Sequence, residues 1–102
     1  ATNTKLDLGF GLVFPKDIFP HIWYWQVFGG GYGYPWYGRT YNVALEPFTS
    51  FPGNGLEAAV KNGTALSLEA GQSRTANIKA VAYTGLKGVK RIQADGTVIP
   101  NE

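Results

Sequence analysis

The chain has 102 residues, enough for one domain with a modest core. Formal net charge is +2 and the basic residues are scattered, which argues against a phosphate-backbone footprint and hence against nucleic acid as partner. There is no cysteine and only one histidine, so a disulfide framework is excluded and a zinc centre would depend almost wholly on carboxylates. No apolar run approaches the roughly 20 residues of a membrane span. The opening Ala1-Thr2-Asn3-Thr4-Lys5 has no apolar signal core, so any targeting segment lies outside this stretch. The expectation is a cytoplasmic protein without metal or cofactor, although a cysteine-free chain is equally compatible with secretion.

Aromatic residues make up 15% of the chain, Gly and Pro recur, and charged residues at 16% fall below the usual quarter, all of which favours β-structure. Leu6 to Phe14 alternates, with Leu8, Phe10 and Leu12 on one face and Gly9, Gly11 and Val13 on the other. Small residues on one side predict a strand lying close against a neighbour. Phe14 to Pro20 reads as a turn or short helical crossing, closed by proline at both ends.

His21 to Phe28 is the aromatic strand: Ile22, Tyr24, Gln26 and Phe28 share one face, and His21, Trp23, Trp25 and Val27 the other. Gly29 to Gly38 is a glycine and tyrosine loop. Arg39 to Glu46 is the next strand, with Thr40, Asn42, Ala44 and Glu46 opposed to Tyr41, Val43 and Leu45. Pro47 to Gly55 is a loop containing the turn cluster Pro52-Gly53-Asn54-Gly55. Leu56 to Lys61 forms one or two helical turns ended by Asn62-Gly63 as a left-handed cap. Strands follow over Thr64 to Leu68 and Arg74 to Thr84, separated by a turn at Glu69 to Gln72. Gly88 to Gln93 and Thr97 to Ile99 flank Asp95-Gly96 as a hairpin. The fold class is all-β and antiparallel, a single β-sandwich domain over residues 1–102.

More than half of the aromatic residues fall between Trp23 and Pro47. Aromatic faces stack on sugar C–H faces while their polar tips meet hydroxyls, so clustered Trp and Tyr beside a loop suit carbohydrate. Trp23, Tyr24 and Trp25 serve equally well as sandwich core, whereas Tyr32, Tyr34, Trp36 and Tyr37 lie in a loop that has little else to bury them. Gly33-Tyr34-Pro35-Trp36-Tyr37-Gly38-Arg39-Thr40 is one substitution from a phosphate-binding loop. It is rejected, because bulky rings fill it and a strand, not a helix, follows. Glu46 closes an apolar strand before Pro47. Partial desolvation among aromatics would raise its proton affinity and suit it to general-base work, and the alternative is a strand-end carboxylate paired with Arg39 or solvated. His21 reads as a turn histidine. Asn62-Gly63-Thr64 matches a glycosylation acceptor, a pattern common by chance.

Leu45-Glu46-Pro47-Phe48-Thr49-Ser50-Phe51-Pro52 follows Trp23-Tyr24-Trp25-Gln26 and precedes Gly53-Asn54-Gly55-Leu56. Together these resemble the C-terminal region of aldose 1-epimerase-like proteins of the galactose mutarotase superfamily. Ala65-Leu66-Ser67-Leu68-Glu69-Ala70-Gly71-Gln72-Ser73 is similar to the turn before that family's long last strands, and the resemblance spans roughly Leu8 to Thr84. It implies an antiparallel supersandwich that binds a hexose in a concave sheet. It also implies that Glu46 is the base acting on the anomeric hydroxyl, with Trp25 and Gln26 near the sugar; the residues by themselves add Trp36 and Tyr34 as stacking residues. The family's acid histidine and sugar-orienting aspartate fall outside the matching region, and His21 occupies neither place. A full member is roughly two to three times this length. The resemblance therefore implies a catalytically incomplete C-terminal part, expected to pair with the missing N-terminal portion or with a copy of itself. A non-catalytic sugar-binding sandwich and a structural assembly module are the other readings.

Overall fold

The computed structural model describes residues 1–51 and 53–102. The Pro52 end of the expected turn cluster lies outside them. The fold is mostly β, in small antiparallel sheets with one short helix: β1 (Thr2–Asn3), β2 (Leu8–Val13), β3 (His21–Phe28), β4 (Tyr41–Phe48), α1 (Leu56–Lys61), β5 (Lys79–Tyr83), β6 (Val89–Ile92) and β7 (Val98–Pro100). The strands pair in the orders β1-β2-β5, β3-β4 and β6-β7. The chain divides into two compact units, one of Ala1–Pro15 with Arg74–Glu102 and one of Lys16–Ser73.

In the first unit β2 pairs with β5, Gly9 opposite Tyr83 and Gly11 opposite Val81. The small-residue face expected of β2 is there for the expected reason. A Cβ on Gly9 would collide with the Tyr83 ring, and one on Gly11 would collide with Cδ1 of Ile92 from β6. The Tyr83 ring thus occupies the space a side chain at position 9 would need. Its hydroxyl is fixed by Thr2 Oγ1 at 2.8 Å. The other face of β2 carries Leu8 and Phe10 in the open.

Two strand expectations shorten or vanish. Arg74 to Thr84 was expected to be extended throughout, yet only Lys79–Tyr83 is strand. The β2 ladder ends at Val13 opposite Lys79, and Pro15 follows, so Arg74 to Ile78 have no strand to pair with. Thr64 to Leu68 forms no strand, and from Leu66 onward it is exposed. β-propensity without a neighbouring edge leaves the backbone to water. The turn at Glu69 to Gln72 does form, with Gln72 N–H donating to the Glu69 carbonyl at 2.9 Å.

The hairpin at Asp95-Gly96 joins β6 to β7, with Gln93 N–H donating to the Thr97 carbonyl at 2.8 Å. Thr97 N–H donates to Asp95 Oδ1 at 2.8 Å. That amide and the Thr97 hydroxyl hold the Asp95 carboxyl below its ordinary range.

In the second unit β3 and β4 pair along their whole length, from His21 opposite Phe48 to Phe28 opposite Tyr41. The same register runs on: Gly29 N–H donates to the Thr40 carbonyl at 2.9 Å and Gly38 N–H to the Gly31 carbonyl at 2.7 Å. Hydrogen-bonded and non-hydrogen-bonded pairs alternate in an antiparallel ladder. His21, Trp23, Trp25 and Val27 therefore exchange bonds with β4. The amides and carbonyls of Ile22, Tyr24, Gln26 and Phe28 point away from it. On β4 the outward set is Tyr41, Val43, Leu45 and Pro47. This explains why β4 continues through Pro47 to Phe48, past the expected end at Glu46. The missing proline N–H faces outward and breaks no ladder bond.

Helix α1 forms where expected. Asn62 caps it and Gly63, at φ +76°, takes the left-handed position. Ala59 on its inner side is the one buried apolar side chain among the described residues. Asn62 is held on both sides: Nδ2 donates to the Phe51 carbonyl, and Oδ1 accepts from Thr64 N–H at 3.0 Å and Thr64 Oγ1 at 2.7 Å. Both ends of the Asn62 amide are thus engaged in the turn that follows α1.

Two stability predictions follow from this packing. Gly11→Ala should cost about 1–3 kcal/mol by overpacking against Ile92, read as a fall in urea midpoint. Adding Ile92→Val, which removes the colliding Cδ1, should recover part of that loss. For Asp95 the folded pKa is depressed. Its contribution to stability is therefore present above the unfolded value of about 3.9 and is lost as pH falls through the folded value. Thr97→Val removes the hydroxyl and keeps the amide. In an NMR titration the Asp95 pKa should move part of the way back toward the ordinary value.

Candidate functional site

The β3–β4 register decides which side chains share a surface, because directly opposed residues project to the same side. Trp23 lies opposite Glu46, Trp25 opposite Ala44, and Val27 opposite Asn42. One face therefore carries Trp23, Trp25, Glu46 and Asn42 together. The other carries Ile22, Tyr24, Gln26 and Phe28 with Tyr41, Val43, Leu45 and Pro47.

Trp23 is committed to structure. Its indole stacks on Phe48 with ring centroids 3.9 Å apart and planes 6° from parallel. Its Nε1 donates to the Ser50 carbonyl at 3.0 Å. A Cβ on Gly53 would come within 2.9 Å of the ring, so glycine lets that loop lie close against it. This fastening sets where the backbone runs after Glu46.

Trp25 has a different neighbour. The loop folds Trp36 back against it, centroids 5.0 Å apart at 53°. The loop is shaped for this: Trp36 and Tyr37 N–H groups both reach the Gly33 carbonyl, at 2.9 and 3.0 Å, in a tight turn. Gly31 lies under Trp36, where a Cβ would press on the ring at 3.2 Å. Among the described residues neither the Trp25 nor the Trp36 indole N–H meets an acceptor. The pair is a half-covered aromatic step with two unspent donors.

Glu46 is half-buried on the same face. Among the described residues the only ion pair joins Glu57 to Lys61, so the alternative of a Glu46–Arg39 bridge is not realised. Asn42 adds an unexpected feature: its Oδ1 is buried and accepts no hydrogen bond. A buried acceptor left unpaired costs on the order of 1–3 kcal/mol. Strand parity had already set Asn42 on the Glu46 side, but nothing in an isolated asparagine signals that it will lack a donor.

The remaining expected site residues lie elsewhere. Gln26 follows Trp25 in the chain and so falls on the opposite face, apart from Glu46. Tyr34 is 84% exposed and packs edge-on against Tyr37, centroids 6.1 Å apart. His21 opens β3 with its ring 4.7 Å from that of Phe51, and so belongs to an aromatic contact. Trp25, Trp36 and Glu46 are thus brought onto one face. Gln26 and Tyr34 are not part of it.

A hollow of about 360 Å³ lies beside Trp23, Phe48, Ser50, Leu56, Ala59 and Leu66. It has no charged lining residue and belongs to the packing of α1 against the strand ends. Among the described residues no three His, Cys, Asp or Glu side chains cluster as a metal site would need, and no helix is long and apolar enough to cross a membrane.

No protein-family model matches the chain, and no curated protein or solved structure matches it either.

The two indoles report on this geometry separately. Trp36→Ala should uncover Trp25, shifting its fluorescence to the red and removing the near-ultraviolet circular dichroism of the pair. Tyr34→Ala should leave both signals in place.

Proposed function

We propose that the Trp25–Trp36–Glu46 face is one wall of a hexose-binding site. In this reading the chain is the C-terminal part of an aldose 1-epimerase-like protein whose complete fold is a supersandwich. The observation that carries it is the register placing Glu46 on the same face as Trp25, with Trp36 folded against that ring. An indole face takes the C–H side of a pyranose, while a carboxylate and free indole N–H groups suit its hydroxyls.

In the whole protein Glu46 acts as the base that takes the proton of the anomeric hydroxyl. Ring opening requires an acid to protonate the ring oxygen, and that acid comes from the missing N-terminal portion. The chain alone binds without turning over. Tyr24, Gln26 and Phe28, on the far face, belong to an apolar surface for the rest of the protein or for a second copy. A non-catalytic sugar-binding sandwich differs only in the role of Glu46.

The test is a titration of the full chain with glucose and galactose, followed by tryptophan emission. Quenching that is lost in Trp25→Ala and kept in Tyr24→Ala supports the reading. No response to any hexose removes it. In a longer polypeptide carrying this segment, Glu46→Gln should slow anomer equilibration by about 10²-fold or more in polarimetry, with sugar binding retained. An unchanged rate leaves the binding role and removes the catalytic one.

A further inference from the structure

We propose that β3 is a strand-pairing edge and that its occupant is β3 of a second copy of this chain, joined antiparallel about a two-fold axis. The first ground is backbone bookkeeping. β3 and β4 form a two-stranded ladder, marginal by itself in water. The alternation set by the Gly29–Thr40 bond turns the amides and carbonyls of Ile22, Tyr24, Gln26 and Phe28 away from β4. No partner for them exists among the described residues. The side chains of Ile22, Tyr24 and Phe28 are about half exposed, at 52%, 59% and 48%.

The second ground is what β3 lacks. Edges are ordinarily protected by proline, lysine or an inward charge. The outer edge of β4 has Pro47 in its outward set. β3 has no proline and no Lys, Arg, Asp or Glu over eight residues. Of the two edges, only β3 can accept a strand along its whole length.

The third ground is self-complementarity, which selects a second copy as the occupant. A strand meeting itself antiparallel pairs each residue with its mirror position across the axis, so the two copies of any charge near the middle of the strand would be brought close together. β3 has none to oppose. One register pairs all four outward residues: Ile22 with Phe28 of the second copy, and Tyr24 with Gln26, each twice over. That matches aliphatic to aromatic, and hydroxyl to amide. On the other face the same register sets Trp25 against Trp25 on the axis. This is a non-hydrogen-bonded pair, where side chains approach most closely and aromatic pairs gain most. The second copy thereby contributes an indole to the Trp25–Trp36 step. The pairing itself stands without the sugar reading, and only the enlargement of the aromatic platform depends on it.

Sedimentation velocity of the full chain from micromolar to millimolar concentration is the test. Wild type should reach a dimer and stop there. Gln26→Pro removes an outward amide without touching a β3–β4 bond, and should weaken the dimer by about tenfold or more. Val43→Pro removes the equivalent amide at the outer edge of β4, and should leave the dimer intact. Should Gln26→Pro change the far-ultraviolet circular dichroism, Trp25→Cys provides a second measurement. In this cysteine-free chain mild oxidation should crosslink it through position 25 far faster than Val43→Cys. A wild-type monomer at every concentration, growth beyond the dimer, equal effects of the two prolines, or equal crosslinking of the two cysteines overturns the proposal. A dimer whose emission ignores every hexose supports the pairing and sinks the sugar reading instead.

Discussion

Trp23 opposite Glu46 is the pairing from which the rest of the site follows. Once that register is set, side-chain parity puts Trp25, Glu46 and Asn42 on one surface and Gln26 on the other. Backbone parity turns the Ile22, Tyr24, Gln26 and Phe28 amides to the free edge in the same stroke. A slip of one residue would exchange the two faces and the two sets of amides together. The register is pinned at both ends. Trp23 stacks on Phe48 and holds the Ser50 carbonyl at the strand end, while Gly29–Thr40 and Gly31–Gly38 carry the ladder into the loop.

The two units share a habit. Each covers one face of a small sheet and leaves the other bare. In the first, Tyr83 and Ile92 lie over Gly9 and Gly11, while Leu8 and Phe10 face outward. In the second, the loop and the segment after β4 cover part of the Trp face, while Ile22, Tyr24 and Phe28 stay open. Among the described residues Ala59 is the only buried apolar side chain. Folding gains most from apolar area removed from water, and this chain leaves much of its area unused. Surfaces of this kind are where further polypeptide binds. That is the physical ground for expecting the open side with Ile22, Tyr24 and Phe28 to meet further polypeptide.

The chemistry available on the Trp25–Glu46 face is limited and specific. Among the described residues it offers two indoles whose N–H groups meet no acceptor and a half-buried carboxylate without a counter-ion. In the proposed reading such a set would take a polyhydroxylated ring, with the carboxylate accepting a proton from it. It contains no acid to return one, so catalysis would need a group from outside these residues.

Much of this was legible in the sequence, and the reasons differ by residue. Alternation along Leu8–Val13 and His21–Phe28 set the faces, since strand side chains repeat every two residues whatever surrounds them. The Gly63 cap, the Asp95-Gly96 hairpin and the close approach at Gly9 and Gly11 follow from local steric rules. What lay beyond the sequence was everything that requires a partner. Thr64 to Leu68 and Arg74 to Ile78 have strand-compatible residues but no adjoining edge, so they stay irregular. Glu46 could have met Arg39, and only the fold shows that among the described residues it meets no cation. Trp36 and Tyr34 were equal as loop aromatics until the turn at Gly33 folded one onto Trp25 and left the other in solvent. Local sequence determined which residues share a strand face. Tertiary structure decided which of them meet, because register, loop closure and the presence of a neighbour are properties of two segments at once.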